Sequence, residues 1–179
     1  MQNVKLILAN SSYKKQYIDF IQECREDIIS RGFEFSIPIS DNETFESDIK
    51  RLSDIHHGQG LPEGWVPGSV FWLCNDVDGK IIGVITIRPK LNEYLKFRGG
   101  HISYYVRPSE RNKGYATLML SLGLEYCRSI GLTSVLITCS KDNIYSAKTI
   151  MNNGGILDSE DNDNGQIFQR YVIHLQTIN

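Results

Sequence analysis

Apolar positions near the start of the chain change period within a few residues. Val4 to Ala9 (VKLILA) is a short continuous apolar run, the pattern of a buried strand, and Asn10, Ser11 and Ser12 supply helix-capping side chains after it. Tyr17, Phe20, Ile21, Cys24 and Ile28 then recur at three-and-four spacing, which predicts one face of a helix stopping at Gly32. Ser40 and Glu43 have capping-box spacing, so a second helix is predicted to begin at SDNE, with Phe45, Ile49 and Leu52 along one side until Gly58. Its outer face carries Glu46, Asp48, Lys50 and Arg51.

Residues 58–68 (GQGLPEGWVPG) are dense in glycine and proline and read as an ordered loop. VFWLCND and KIIGVITIRP, rich in β-branched and aromatic residues, flank Asp78-Gly79 and predict an antiparallel hairpin. His101 to Pro108 (HISYYVRP) is a further strand. Tyr115, Leu118, Met119, Leu122 and Tyr126 mark a helix ending at Gly131, and SVLITCS after it is almost continuously apolar, the pattern of a central parallel strand in a right-handed β-α-β unit. A short helix from about Asn143 to Asn153, a strand near Ile156 and a last strand QIFQRYVIHL complete the order.

The 179 residues, 41% hydrophobic and 22% charged, suit one soluble domain spanning 1–179. A net charge of −2 gives no general basic excess, so nucleic acid is not an expected partner and any anion site must be local. Cys24, Cys74, Cys127 and Cys139 lie far apart with no C-x-x-C pair, as expected of reduced, buried thiols in a cytoplasmic protein. No stretch approaches the ~18 apolar residues of a membrane span, so no membrane partner is expected.

Arg111 to Ala116 (RNKGYA) precede the third long helix. A helix amino terminus exposes unpaired N–H groups and the positive end of its dipole, which together make an anion site. Gly114 would let the backbone approach a phosphate, Ala116 keeps the first turn free of bulk, and Arg111 and Lys113 could add charge. Neither G-x-x-x-x-G-K-[ST] nor G-x-G-x-x-G is present, so ordinary ATP and dinucleotide fingerprints are absent.

Here the sequence resembles the GNAT superfamily of acyl-CoA-dependent N-acetyltransferases, whose central motif Q/R-x-x-G-x-G/A is matched by Arg111, Gly114 and Ala116. Asn143, Ala147 and Gly154 are similar to a looser form of its N-x-x-A segment, and the element order covers nearly the whole chain. The resemblance implies an α/β GNAT fold: a mixed central sheet with a V-shaped splay between two central parallel strands, flanked by helices. It implies acetyl-CoA as co-substrate and no metal. The pyrophosphate would lie on Arg111, Asn112, Lys113, Gly114, Tyr115, Ala116 and Thr117, the pantetheine along Tyr104, Tyr105 and Val106, and Asn143 would contact the cofactor from the other side.

Transfer to a primary amine needs a general base, and His101, on the strand beside the slot, is one candidate. Tyr104 and Tyr105 alternate across the strand, so only one faces the slot. The family's usual tyrosine acid falls at Ile150 here, which leaves that role unassigned and Tyr145 as a substitute. This departure keeps open a second reading, an acyl-CoA-binding or sensor module without turnover. The acceptor, a small molecule or peptide amine, is set by residues 32–40, 58–68 and 88–100, where Arg88, Asn92 or Glu93 could overhang the slot; a homodimer stays open. Trp65 and Trp72 are candidate pocket or core aromatics, the adjacent His56 and His57 make a poor metal pair, and Asp158 to Gln166 fits an Asn-Gly hairpin better than a calcium loop.

Overall fold

A computed structural model describes residues 3–33 and 37–175. Part of the expected acceptor loop, 34–36, lies outside the described residues. The elements run β1 (Val4–Leu8), α1 (Lys14–Ser30), α2 (Phe45–His56), β2 (Ser69–Asn75), β3 (Ile81–Ile87), α3 (Glu93–Phe97), β4 (Ile102–Val106), α4 (Tyr115–Ser129), β5 (Ser134–Ser140), α5 (Ile144–Asn152), β6 (Ile156–Asp163) and β7 (Gln166–His174). Among the described residues no helix is long and apolar enough to cross a membrane.

Apolar spacing located these elements well. The buried residues of α1 are Tyr17, Phe20, Ile21, Cys24 and Ile28, and Gly32 follows with φ of 70°. The capping box at Ser40 does not form. Ser40 Oγ donates to Asp48 (2.8 Å), while Asp41 Oδ1 accepts from the amides of Glu43 (2.9 Å) and Thr44 (2.8 Å), so an aspartate turn leads into α2. The short Asp41 carboxylate reaches amides two and three residues ahead, which leaves the Ser40 hydroxyl free to tie the turn to the helix. Asn164 (φ 51°) and Gly165 (φ 87°) make the tight turn between β6 and β7, both in the left-handed region that such hairpins need.

Two antiparallel sheets result, one ordered β1-β2-β3-β4 and the other β5-β7-β6. Every residue of β3 is buried, because the first sheet is covered on both faces. On one face Tyr17 stacks on Trp72 with ring centroids 4.8 Å apart, and Phe20, Phe45 and Ile37 pack around them. On the other, Met119, Leu120 and Leu124 of α4 meet Ile82, Ile85 and Ile87, and the same core continues into Val135, Ile137, Tyr171 and Ile173 of the second sheet.

The splay expected between β4 and β5 is present. They share no ladder; just before β4, Gly100 makes an isolated antiparallel-type bridge to Ile137, while all of β5 pairs with β7. The apolar run SVLITCS is not buried throughout: Val135, Ile137 and Cys139 are buried, and Leu136, Thr138 and Ser140 alternate with them as half-buried positions. Beyond the bridge the two strands part, and the gap is the V-shaped slot.

Gly100 fixes where that parting begins. Its φ is 70°, and an added Cβ would sit 2.3 Å from Leu136 O. Gly100→Ala is therefore expected to destabilise the fold by about 3 kcal/mol through a strained backbone and forced separation of the strands. Urea unfolding checks this, and a parent-like midpoint would contradict it.

Candidate active site

A cleft of about 910 Å³ occupies the gap, lined by Tyr104, Tyr105 and Val106 of β4, Ile137, Thr138 and Cys139 of β5, and Asn143, Ser146 and Thr149 of the α5 region. One end is closed by Arg111, Asn112, Gly114, Tyr115, Ala116 and Thr117. Asn112 (φ 61°) and Gly114 (φ 82°) both hold left-handed backbone there, a turn that bends the chain directly into α4. The first helical bond runs from Leu118 N–H to Gly114 O (3.1 Å), and no side chain caps the helix. The first-turn amides thus lack a helical partner, the residues that carry them line the cleft, and nothing lies within 4 Å of where a Cβ on Gly114 would be.

The loop's cations are engaged elsewhere. Arg111 pairs through Nη2 with Asp27, donates through Nε to Val106 O (3.0 Å), and lies over the Tyr105 ring. Lys113 does not line the cleft; its Nζ donates to Glu110 (2.9 Å), which also accepts from Lys80 (2.5 Å). One turn before Asp27 on α1, Glu23 accepts from Arg107 Nε (2.8 Å) and from the Ser109 amide (2.9 Å). Partial burial pushes both carboxyls up, yet the guanidinium and other hydrogen bonds outweigh it and hold Glu23 and Asp27 each at about 2.

The tyrosines alternate as the strand requires. Tyr105 packs among Phe20 and Phe33 and donates its hydroxyl to Asp27 (2.8 Å). Tyr104 points the other way, its hydroxyl 2.8 Å from Ser146 Oγ, and burial pushes its pKa up to about 12. Asn143 caps α5, its side chain accepting from the Ser146 amide (3.1 Å). Ile150 is fully buried, whereas Tyr145 lies on the cleft rim, 73% exposed.

His101 lines neither this cleft nor its neighbour. Its Nδ1 accepts from the Leu136 amide (2.9 Å), and its own amide donates to Leu136 O (2.7 Å). Burial, with the nearby charge of Arg88, pushes its pKa below the ordinary value. A neutral imidazole whose lone pair is already spent is a tie between strands, not a free base.

A second cavity of about 360 Å³ adjoins the cleft through Phe33, Arg98, Ile102, Ser103 and Thr138, and adds Gly32, Arg88, Tyr94, Leu95 and Gly99. Of the residues expected to overhang it, Arg88 does. Asn92 instead caps α3 and donates to Gly64 O (2.8 Å), and Glu93 pairs with Lys96 at the surface. Trp72 is core and neither tryptophan lines either of these two cavities.

A family model described as the acetyltransferase (GNAT) family matches residues 39–151. The chain belongs to this family. It is an acyltransferase with the GNAT fold, and solved structures of similar fold agree. An L7/L12 alpha-N-protein acetyltransferase, RimL, in complex with coenzyme A superposes with a TM-score of 0.69 at 14% identity, covering 98% of this chain and 96% of that one. The microcin C7 self-immunity acetyltransferase MccE, with acetyl-CoA and AMP, gives 0.70 at 15% identity, with 98% and 94% covered. Spermidine N-acetyltransferase from Vibrio cholerae, with CoA and spermine, gives 0.63 at 12%, with 97% and 96% covered. No curated protein sequence matches the chain significantly.

Four residues around this GNAT cleft escaped sequence reasoning: Glu23, Asp27, Arg98 and Ser146. The α1 acids look like any solvated helix face, and only tertiary contact reveals their partners. Because folding lowers the Asp27 pKa from 3.8 to about 2, its stabilising contribution is present above pH ~4 and is lost as pH falls towards 2. Asp27→Asn is expected to flatten the acid side of the stability profile, losing of order 1–2 kcal/mol near neutrality. Urea midpoints from pH 6 to 2.5 measure this, and parallel profiles for both proteins would contradict it.

Proposed function

We propose that this chain is an N-acetyltransferase that moves acetyl from acetyl-CoA to a primary amine by direct transfer in a ternary complex. The observation that carries the proposal is the uncapped amino terminus of α4, entered through Gly114 and opening onto a cleft between two strands that do not pair. The residues fit the co-substrate. Amides of Gly114 to Thr117 take the pyrophosphate, the outer edge of β4 at Tyr104 to Val106 takes the pantetheine as an added strand would pair, and Asn143 and Ser146 approach it from α5.

The acceptor amine, once neutral, attacks the thioester carbonyl; the C–N bond forms as the carbonyl oxygen gains charge, which an outward N–H of β4 can stabilise. The C–S bond then breaks and the thiolate leaves. Tyr104, kept protonated by burial, swings its hydroxyl proton from Ser146 O (3.3 Å) to that thiolate while Ser146 Oγ (2.8 Å) donates to its oxygen, the part left vacant at Ile150. Cys139 also lines the cleft, but burial raises its pKa and keeps it a thiol, which favours direct transfer over an acetyl-cysteine intermediate. The amine's proton passes to water, since among the described residues no carboxylate or imidazole lines the acceptor cavity. Acceptors of the solved relatives, by their printed names, range from a protein α-amine to spermidine, so a small-molecule or peptide amine is in keeping with this fold.

Gly114→Glu is expected to weaken CoA binding by more than 100-fold in calorimetry, because it sets bulk and negative charge against the phosphates; unchanged affinity would refute the phosphate assignment. Tyr104→Phe is expected to lower kcat for amine-dependent thiol release about tenfold with CoA affinity near the parent's. A parent-like kcat would remove Tyr104 from the transfer step.

A further inference from the structure

We infer that the smaller cavity takes an amine that also carries an anionic group, a carboxylate or a phosphate, and that Arg88 pairs with that group. The inference rests on the acetyltransferase reading for its occupant, and on the cavity itself for the occupant's charge.

Arg88 follows β3 and lines the cavity, with its Nη1 buried and without a hydrogen-bond partner. Its stem runs beside Gly68, where an added Cβ would lie 3.4 Å from Arg88 Cγ, so its course is set by packing. Among the described residues no carboxylate pairs with it. Other arginines packed around β4 and β5 are matched: Arg98 with Asp163, Arg107 with Glu23, Arg111 with Asp27 and Arg170 with Asp161. Burial alone pushes the Arg88 pKa down, as it does for a cation lacking a counter-ion. A buried guanidinium left in this state is costly, and an anion supplied by a ligand relieves the cost.

The rest of the lining agrees. Phe33 and Tyr94 offer aromatic surface, Ser103 and Thr138 offer hydroxyls, and among the described residues no acidic side chain lines the cavity. Arg98 lines both cavities but is paired with Asp163, so Arg88 is the uncompensated cation of this lining. A volume of about 360 Å³ is at the small end for ligand sites, matching an acceptor of amino-acid to dipeptide size.

The test uses the full chain with acetyl-CoA and matched acceptors: amino acids, their carboxamides, aminoalkyl phosphates and spermidine. Thiol release gives kcat/KM for each, and calorimetry with CoA present gives binding. Anionic acceptors are expected to be preferred over matched amides. Arg88→Met is expected to cut that preference by roughly two orders of magnitude, mainly through KM. Carboxylate and phosphate arms tell the two anion sources apart. Because Arg88→Met removes an unpaired buried charge, its melting temperature should not fall, and Arg88→Lys should restore part of the preference. Preference for amides or spermidine, or an unchanged ratio in Arg88→Met, overturns the inference while leaving acetyl transfer intact. Anion binding that is lost in Arg88→Met, with no thiol release on any amine, sustains the inference and sinks the transferase reading.

Discussion

Two carboxylates one helical turn apart on α1 set the shape of the loop between β4 and α4. Glu23 holds Arg107 and the Ser109 amide, and Asp27 holds Arg111 and the Tyr105 hydroxyl. Arg107 is only 3% exposed, so its pairing happens where water screens little. With the side-chain charge consumed, what the loop offers the cleft is backbone: the N–H groups of the first turn of α4. On the proposed reading, this division lets a chain of net charge −2 receive phosphates with few free cations beside them.

The second constraint is the failure of β4 and β5 to pair. Gly99 and Gly100 bring the strands together at one bridge, and β5 then spends its hydrogen bonds on β7. Past the bridge, β4 keeps an unladdered edge, which a pantetheine arm can use as another strand would. His101 belongs to this device. By accepting from Leu136 it stiffens the point from which the two sheets diverge.

Periodicity revealed most of this fold because α1, α2 and α4 each bury one face, and because Asp78-Gly79 and Asn164-Gly165 are turns with a specific backbone demand. It failed at Ser40, where two neighbouring oxygen side chains competed and the aspartate took the amides. It also hid the alternation in SVLITCS, where Leu136, Thr138 and Ser140 are only half-buried. At the site, Gly114 and the start of α4 were legible because left-handed backbone and a helix start leave local marks. The Glu23–Arg107 and Asp27–Arg111 pairs and the Tyr104–Ser146 contact join residues far apart in the chain, and no local pattern announces them.

The account stands on the claim that backbone amides, not loop side chains, receive the phosphates. Amide nitrogen and proton shifts followed by NMR during titration with CoA test it most directly. Large changes are expected at Gly114, Tyr115, Ala116 and Thr117, with a second set along Tyr104 to Val106. Changes confined to other surfaces, with residues 114–117 unmoved at saturation, would contradict it.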